Sequence, residues 1–327
     1  MRRVLVDALL GIAIGACALV AVAAATAGGG GGSRQVVPAP PTGGFFRSHC
    51  TLPHTRPDDP ILMPGMAGES MVHDFFGNTT TSASSTAATL RAAGTTSCLA
   101  PGDTSAYWTP ALYQHGVRVV PSSMAIYYRT AGRPAASIQP LPPGLQMIAG
   151  NETAMTPQPT SVAYWNCGAR ADVARTALPP TRCPAGTQLV LSLVFPDCWD
   201  GHTLAGADQK NVAYAVHRRC PAGYPVAIPQ LSVHVRYPIS TGDGLTLSMG
   251  PAANTRPDSI TTAHADVINA WDPAVLASLV TQCDVGALRC GTVGAANQPR
   301  GIGREERMRA RAADRRAAAR ALRHRRR

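Results

Sequence analysis

The stretch Leu231-Ser232-Val233-His234-Val235-Arg236-Tyr237 alternates apolar and polar residues without a break. Successive side chains of a β-strand point to opposite faces, so this period of two predicts a strand with one face in a hydrophobic core. Other runs rich in β-branched and aromatic residues, each bounded by Pro, Gly, Asn or Ser, are typical of strands. They are Val117 to Val120, Met124 to Tyr128, Ser161 to Trp165, Gln188 to Phe195 and Val212 to Val216.

Two short helices are predicted between the strands. The first covers Thr86 to Ala93, after a Ser84-Ser85 cap and before Gly94. The second begins at Asp272-Pro273, an N-cap followed by proline at the first helical position. Its apolar face, which we expect to lie in the core, carries Val275, Leu276, Leu279, Val280 and Cys283.

The chain shows no internal repeat and no interdomain linker between these elements. Many prolines separate the strands and favour irregular connections over tight hairpins. We therefore predict one mainly β domain over residues 45–291, sandwich-like, with long loops and one or two short helices.

The cysteines predict how this domain is held together. Eight of them follow a hydrophobic leader, and an even set beyond an export signal indicates disulfides formed in an oxidising compartment. Eight cysteines allow 105 pairings. Our hypothesis joins sequence neighbours, as Cys167–Cys183, Cys198–Cys220 and Cys283–Cys290, which leaves Cys50–Cys98.

The N-terminal residues 1–27 are predicted to be a signal peptide or an N-terminal anchor. Arg2 and Arg3 precede the apolar run Leu9 to Ala25, and Ala25-Thr26-Ala27 has the form that signal peptidase accepts. A lipoprotein box at Ile14-Gly15-Ala16-Cys17 is an alternative, as is an uncleaved span, because the run approaches the ~20 residues that cross a bilayer. A Gly/Pro-rich spacer follows over 28–44. We expect a secreted or envelope protein, with membrane anchoring left open.

The net charge of +11 is concentrated in the C-terminal tail, residues 292–327. Eleven arginines and three acids between residues 301 and 327 give this stretch +8. Its Arg/Ala composition offers little to bury, so we predict a frayed helix or a disordered segment. It is either an electrostatic tether to an anionic surface or a dispensable extension. The remaining domain is close to neutral, so we expect no specific nucleic-acid recognition from it.

Several histidines and carboxylates are candidates for a metal or acid–base site. Signature motifs of serine hydrolases, zinc proteases and nucleotide-binding proteins are absent from the sequence. Imidazole and carboxylate are ligands of open catalytic zinc or copper sites, so a divalent metal is a candidate cofactor. The candidate ligands are His54, His73 and His264, and the catalytic candidates are His73, Asp200, Asp208 and Asp266. The alternative is that the histidines are buried and bonded to carbonyls, while the aspartates cap turns.

Aromatic residues are candidates for carbohydrate binding, because sugars stack on exposed rings. The chain has few aromatic residues, yet Tyr107, Trp108, Trp199 and Trp271 stand beside Asp or Asn in polar segments. The alternative is plain core packing.

Five ordered segments carry a resemblance to a known family. They are Asp59-Pro60-Ile61 with Pro64-Gly65, His73 with Phe76-Gly77-Asn78, Tyr107-Trp108-Thr109-Pro110, Cys198-Trp199-Asp200-Gly201 and Asn269-Ala270-Trp271. From about His49 to Cys283 the chain resembles the secreted domain-of-unknown-function family numbered nineteen ninety-six, of fungi and actinobacteria. The resemblance implies an exported, cysteine-bearing protein of the cell envelope, and it implies no settled activity.

The chain departs from the family pattern at two places. Many members carry a His-x-His pair where this chain has Met71-Val72-His73, and others carry histidines where it has Asp208-Gln209-Lys210-Asn211. The resemblance thus implies fewer metal ligands here. Our leading prediction is interaction with cell-wall or extracellular polysaccharide. The alternatives are a metal-dependent or carboxylate-based hydrolase and a structural envelope protein, so whether the protein is an enzyme stays open.

Overall fold

The computed structural model describes residues 43–100, 102–168, 174–205 and 210–294. This part of the chain is mainly β, with two short α-helices. The strands are β1 (Phe45–Cys50), β2 (His54–Arg56), β3 (His73–Gly77), β4 (Ala106–Pro110), β5 (Leu112–Gln114), β6 (Val117–Val119), β7 (Ser123–Arg129), β8 (Gln146–Gly150), β9 (Ala163–Cys167), β10 (Leu189–Val194), β11 (Cys198–Trp199), β12 (Val212–Ala213), β13 (Val226–Ala227), β14 (Gln230–Tyr237), β15 (Leu245–Leu247), β16 (His264–Ile268) and β17 (Arg289–Thr292). The helices are α1 (Ala87–Ala93) and α2 (Pro273–Leu279), with 3-10 turns at Ala135–Ser137 and Pro257–Thr262 and a π turn at Val280–Val285.

Two large sheets form the body of the domain. One has six strands in the order β17-β1-β7-β14-β10-β9, and the other has five in the order β2-β3-β4-β16-β8. All neighbouring strands in them are antiparallel except β1 and β17, which are parallel. Two three-stranded sheets, β12-β11-β13 and β15-β5-β6, lie beside them.

The alternating stretch that predicted a strand is β14, in the middle of the six-stranded sheet. Leu231, Val233, Val235 and Tyr237 are fully buried. They belong to the main hydrophobic core, which contains residues of both large sheets, including Tyr107 of β4. The prediction of a mainly β, sandwich-like, disulfide-stapled domain is confirmed.

The five-stranded sheet is buried on its other face as well. A second cluster lies there, formed by Ile61, Phe75, Leu90, Ala106, Trp108, Ile148, Ile268 and Ala270. Ile61 comes from the long loop 57–72 and Leu90 from α1, so these two segments cover the outer face of the sheet. Every residue of β3, β4 and β16 is buried as a result.

All six predicted strand runs are found. Those at Val117, Gln188 and Val212 are shorter than predicted, and the run predicted from Ser161 begins at Ala163. The predicted cap of the first helix at Ser84-Ser85 is wrong. Thr86 is the N-cap, because its side chain accepts a hydrogen bond from the Thr89 amide and Thr89 bonds back. The C-cap Gly94 has a φ of 64°, the left-handed conformation that glycine adopts without strain. Asp272 caps α2 through the amides of residues 274 and 275, as predicted.

The structure contains four disulfides, Cys50–Cys98, Cys167–Cys183, Cys198–Cys220 and Cys283–Cys290. The hypothesis that sequence neighbours pair is confirmed. Four bridges point to an oxidising compartment. Among the residues described, no helix combines the length and apolar character needed to cross a membrane. The predictions for the leader 1–27, and for most of the spacer 28–44 and of the tail 292–327, lie outside those residues.

Removal of single disulfides should destabilise the domain according to the length of chain that each closes. Cys50–Cys98 spans 48 residues and Cys283–Cys290 spans 7. In the chain-entropy model the corresponding double Cys→Ala variants lose about 4 and about 2 kcal/mol of unfolding free energy. Denaturant titration of the oxidised proteins measures both losses. Equal losses, or a larger loss for the shorter loop, would contradict this account.

Candidate functional site

Three titratable side chains converge on the outer face of the five-stranded sheet. His73 begins β3, and His264 and Asp266 lie two residues apart on β16, so strand alternation directs both to one face. β3 and β16 flank β4, where His73 pairs with Pro110 and Asp266 pairs with Trp108. The register of the three strands therefore brings together side chains that are distant in sequence.

The distances within this cluster are short. The two Nε2 atoms of His73 and His264 lie 3.4 Å apart. His264 Nε2 lies 3.8 Å from Asp266 Oδ2, and all three groups have ligand atoms within 4.8 Å of one another. Each of the three residues is fully buried. We call His73, His264 and Asp266 the dihistidine cluster.

The hydrogen bonds of the two rings indicate which nitrogen carries the proton. His73 Nδ1 is 3.0 Å from the carbonyl oxygen of Asp58, and His264 Nδ1 is 2.9 Å from that of Thr262. A carbonyl can only accept, so each Nδ1 donates and the neutral ring keeps a lone pair on Nε2. Two lone pairs thus face each other across 3.4 Å.

The carboxyl group of Asp266 also lacks a hydrogen-bond partner among the described residues. Both oxygens of Asp266 are buried, and neither has a hydrogen-bond partner among the described residues. Burial raises the pKa of Asp266 well above its usual range, and the charges of Asp59 and Glu152 raise it further. Burial, together with the charge of His73, lowers the pKa of His264 to about 4. The cluster thus combines two imidazoles of lowered pKa with a buried carboxyl group that has no hydrogen-bond partner among the described residues.

Two further carboxylates stand beside the cluster. Asp59 is buried, and its Oδ1 accepts the amides of Ile61 and Leu62 at 2.8 and 2.9 Å. Glu152 is half-buried, and its Oε2 is a buried atom without a partner in the described structure. The negative charge of Glu152 raises the pKa of both Asp266 and His264, which places it near both.

Sequence reasoning did not name either acid as a site residue. Asp59 lies in the first of the five sequence motifs, and this position is the feature that could have identified it as a site residue. Glu152 follows β8 in an ordinary polar segment and has no comparable signal.

The loop 57–72 closes over the cluster. Asp58 supplies the carbonyl that orients His73, and its own carboxylate fixes the loop. Its Oδ1 accepts the Gly68 amide at 2.9 Å and its Oδ2 accepts the Ala83 amide at 3.2 Å. The same loop thus orients a ring and shields it from solvent.

The other candidate metal or catalytic residues lie elsewhere. His54 is on β2, bonded through Nε2 to the carbonyl of Thr81 and stacked on Phe75 at 5.1 Å. Asp200 accepts the amides of residues 202 and 203, both at 2.9 Å, and so caps a turn. Asp208 lies outside the described residues.

Three of the four candidate rings for sugar stacking are enclosed by protein. Tyr107, Trp108 and Trp271 have at most 1% of their surface exposed, so none presents a face to solvent. Trp199 is half-buried, and its Nε1 donates to the carbonyl of Thr203 at 2.7 Å.

Tyr107 and Trp271 take part in a buried polar network in the main core. Both reach the hydroxyl of Tyr128, Tyr107 through its own hydroxyl at 2.7 Å and Trp271 through Nε1 at 2.8 Å. The hydroxyl of Tyr107 also lies 3.1 Å from Asp103 Oδ1. The network explains why these polar aromatic groups are tolerated inside the sandwich.

A family model described as a domain of unknown function (DUF1996) matches residues 59–271. The chain belongs to this family. The match confirms the resemblance, and it includes Asp59, Glu152 and all three residues of the dihistidine cluster. No curated protein and no solved structure matches the chain.

Asp103→Asn should remove a pH-dependent loss of stability. Burial raises the pKa of the Asp103 carboxyl to about 6, against about 3.9 in an unfolded chain. The folded state therefore binds more protons between pH 4 and 6, and its stability falls as pH rises through that range. Between pH 4 and pH 7 the stability of Asp103→Asn relative to wild type should rise by up to about 3 kcal/mol.

Denaturant titrations across this pH range measure the difference. Asp258→Asn serves as the control, because its carboxylate is about half exposed. Parallel pH profiles for wild type and Asp103→Asn would contradict the assignment.

Proposed function

We propose that this protein is an exported metalloprotein in which His73, His264 and Asp266 bind a divalent metal ion, with zinc as the best fit. The observation that carries the proposal is the pair of Nε2 lone pairs 3.4 Å apart beside an unpartnered carboxylate. Facing lone pairs repel unless a cation lies between them. The leader and the four disulfides support export.

Two of the three donor–donor distances in the cluster are close to those of tetrahedral zinc. At zinc–nitrogen distances of about 2.0–2.1 Å, two tetrahedral ligands lie about 3.3 Å from each other. The observed 3.4 Å between the imidazoles matches this value, and the 3.8 Å from His264 to Asp266 exceeds it by a few tenths of an ångström. Imidazole and carboxylate also suit iron and copper, so the measurement below identifies the ion.

The surroundings resemble those of metal-binding histidines generally. Ligating histidines donate their other ring N–H to a carbonyl or carboxylate, which fixes the ring and its tautomer. Asp58 and Thr262 accept these two N–H groups. The resemblance implies a further histidine at the position of Met71, but the cluster does not need it, because His264 and Asp266 provide the remaining donors.

Glu152 supports hydrolysis as the proposed activity. A zinc ion with three protein ligands supplies a bound water of lowered pKa. Glu152 has an unpartnered oxygen and is partly open to solvent, so it is suited to hold or deprotonate a water molecule at the edge of the cluster.

Interaction with cell-wall or extracellular polysaccharide stays a prediction, as does a purely structural role. Stacking on Tyr107, Trp108 or Trp271 does not support polysaccharide binding, since these rings are buried. The predicted tether between the basic tail and an anionic surface also stays a prediction.

The metal proposal predicts near-stoichiometric metal in the full chain, purified oxidised without chelator or affinity tag. Native mass spectrometry and elemental analysis should find about one zinc per chain in wild type. His73→Ala and His264→Ala each remove a metal ligand. Each should weaken metal binding by more than about 100-fold, a larger loss than follows when a residue that only orients a ligand is changed.

The matched control is His54→Ala. His54 lies on β2, the strand that pairs with β3, and its ring is also bonded to a carbonyl oxygen, that of Thr81. This variant should retain the metal. Circular dichroism and a thiol assay show whether each variant is folded and oxidised. The proposal would be refuted if wild type carried no metal and took up none during dialysis against zinc. It would also be refuted if His54→Ala lost as much metal as the two ligand variants.

A further inference from the structure

The outer face of the six-stranded sheet carries a row of register-paired residues across five strands. Its members are polar on four of these strands, and those on β7, β10 and β9 are buried. Register pairs His49 with Ala125, Ala125 with His234, His234 with Ser192 and Ser192 with Tyr164. At about 4.8 Å per strand, the row is about 19 Å long. It lies on the opposite side of the sheet from the main core.

Five arginines border this row. Arg47, Arg129 and Arg236 project from β1, β7 and β14 on the same face. Arg175 lies over the ring of Tyr164 with its guanidinium carbon 4.3 Å from the ring centre, and Arg289 lies over Phe45 at 5.6 Å. We call Arg47, Arg129, Arg175, Arg236 and Arg289 the arginine face.

The centre of this face has a strongly positive environment. His234 bonds through its two ring nitrogens to the hydroxyls of Ser192 and Ser232, at 3.0 and 3.2 Å. Burial lowers the pKa of His234 well below its usual value. Four members of the arginine face lower it further, namely Arg129, Arg175, Arg236 and Arg47.

These arginines have no acidic partner within ion-pair distance in the described part of the chain. The arginine ion pairs found there are Arg118–Asp74, Arg133–Asp197 and Arg256–Asp258. Asp284 is the nearest acidic influence on Arg129, and it is a small one; burial raises the pKa of its carboxyl group to about 8. Among the described residues, the face therefore has no ion pair that offsets its positive charge.

The guanidinium groups are held in place before any ligand arrives. Arg129 stacks on the ring of Tyr127 at 4.0 Å and donates to Ser232 Oγ at 2.5 Å. Arg47 donates to the hydroxyl of Tyr127 at 3.0 Å. The Nε of Arg236 is buried and has no hydrogen-bond partner among the residues described. Partly desolvated, unpaired cations cost free energy, which a bound anion would recover.

We propose that the arginine face binds an anionic polysaccharide through its carboxylate or sulfate groups. Arginine presents a planar fork that matches both groups bidentately. The hydroxyl of Tyr127, a half-buried residue between Arg47 and Arg129, can bond a sugar hydroxyl. The oxidising compartment indicated by the disulfides favours an extracellular polymer over nucleic acid.

The shape of the face favours a polymer over a membrane surface. Arg47, Arg129 and Arg236 are half-buried among strand residues, so they do not extend outward as side chains that contact a flat membrane surface would. Several cations along a row of about 19 Å suit a chain with repeated charges. This site lies on a different sheet from the dihistidine cluster and does not depend on the metal.

The test measures binding of the oxidised full chain to polygalacturonate and to dextran sulfate, with uncharged dextran as the blank, over a series of salt concentrations. Arg47→Gln/Arg129→Gln should weaken binding to at least one acidic polymer by about 10-fold or more and reduce its salt dependence. Arg91→Gln/Arg219→Gln removes the same charge at exposed positions outside the face and should change affinity by less than about 2-fold.

Because both double variants keep the C-terminal tail, its contribution cancels between them. If Arg47→Gln/Arg129→Gln does not fold, Arg175→Gln/Arg289→Gln replaces it, since both side chains are exposed. Equal weakening in face and control variants would overturn the proposal. The proposal would also be overturned if the protein bound duplex DNA or phosphatidylglycerol vesicles more tightly than either acidic polysaccharide and the face variant weakened that binding to the same extent. The metal content of each variant is measured in parallel. A face variant that loses polysaccharide binding but keeps its metal shows that the two proposals stand or fail separately.

Discussion

Burial of both faces of the five-stranded sheet is the constraint on which the site depends. The main core covers one face, while the loop 57–72 and α1 cover the other. Polar side chains on β3, β4 and β16 must then find partners inside the protein, since water is excluded. Asp74 meets Arg118, and the rings of His73 and His264 meet carbonyls. Neither oxygen of Asp266 has a partner among the described residues, and Thr109 Oγ1 and Asp74 Oδ2 also lack one. Asp266 differs from them because it lies beside two imidazoles whose Nε2 atoms are 3.4 Å apart, which makes this cluster the candidate site.

The sequence predicts β14 well because most residues on one of its faces are partly exposed, which leaves a visible alternation. β9 and β10 of the same sheet are buried throughout, and their β-branched and aromatic residues predicted them instead. β3, β4 and β16 show no such period, because both of their faces are buried. Their polar residues resemble loop sequence for the same reason. The sequence named His73, His264 and Asp266 as candidates from their chemistry. Their convergence follows from strand register, which spacing along the chain does not reveal, and the position of Glu152 follows from tertiary packing alone.

The two large sheets present different chemistry on their outer sides. The five-stranded sheet encloses neutral donors and unpaired carboxylates beneath a loop, an environment suited to a cation. The six-stranded sheet carries partly exposed guanidinium groups braced by Tyr127 and serine hydroxyls, an environment suited to anions. His73, His264 and Asp266 lie on strands, as do Arg47, Arg129 and Arg236, so their backbones are held in place and binding a ligand costs little ordering of the chain there.

The parallel pairing of β1 with β17 has a consequence for the order of folding. Phe45 lies beside Arg289 in that ladder, so the first strand of the domain is completed by the last. Contacts so distant in sequence form slowly, because a long loop must close before they contribute. During synthesis the chain emerges from its N-terminal end, and this edge of the sheet stays open until the last strand has followed. Until then β1 offers unpaired backbone groups to other chains, which makes prompt completion of the chain a condition for avoiding aggregation.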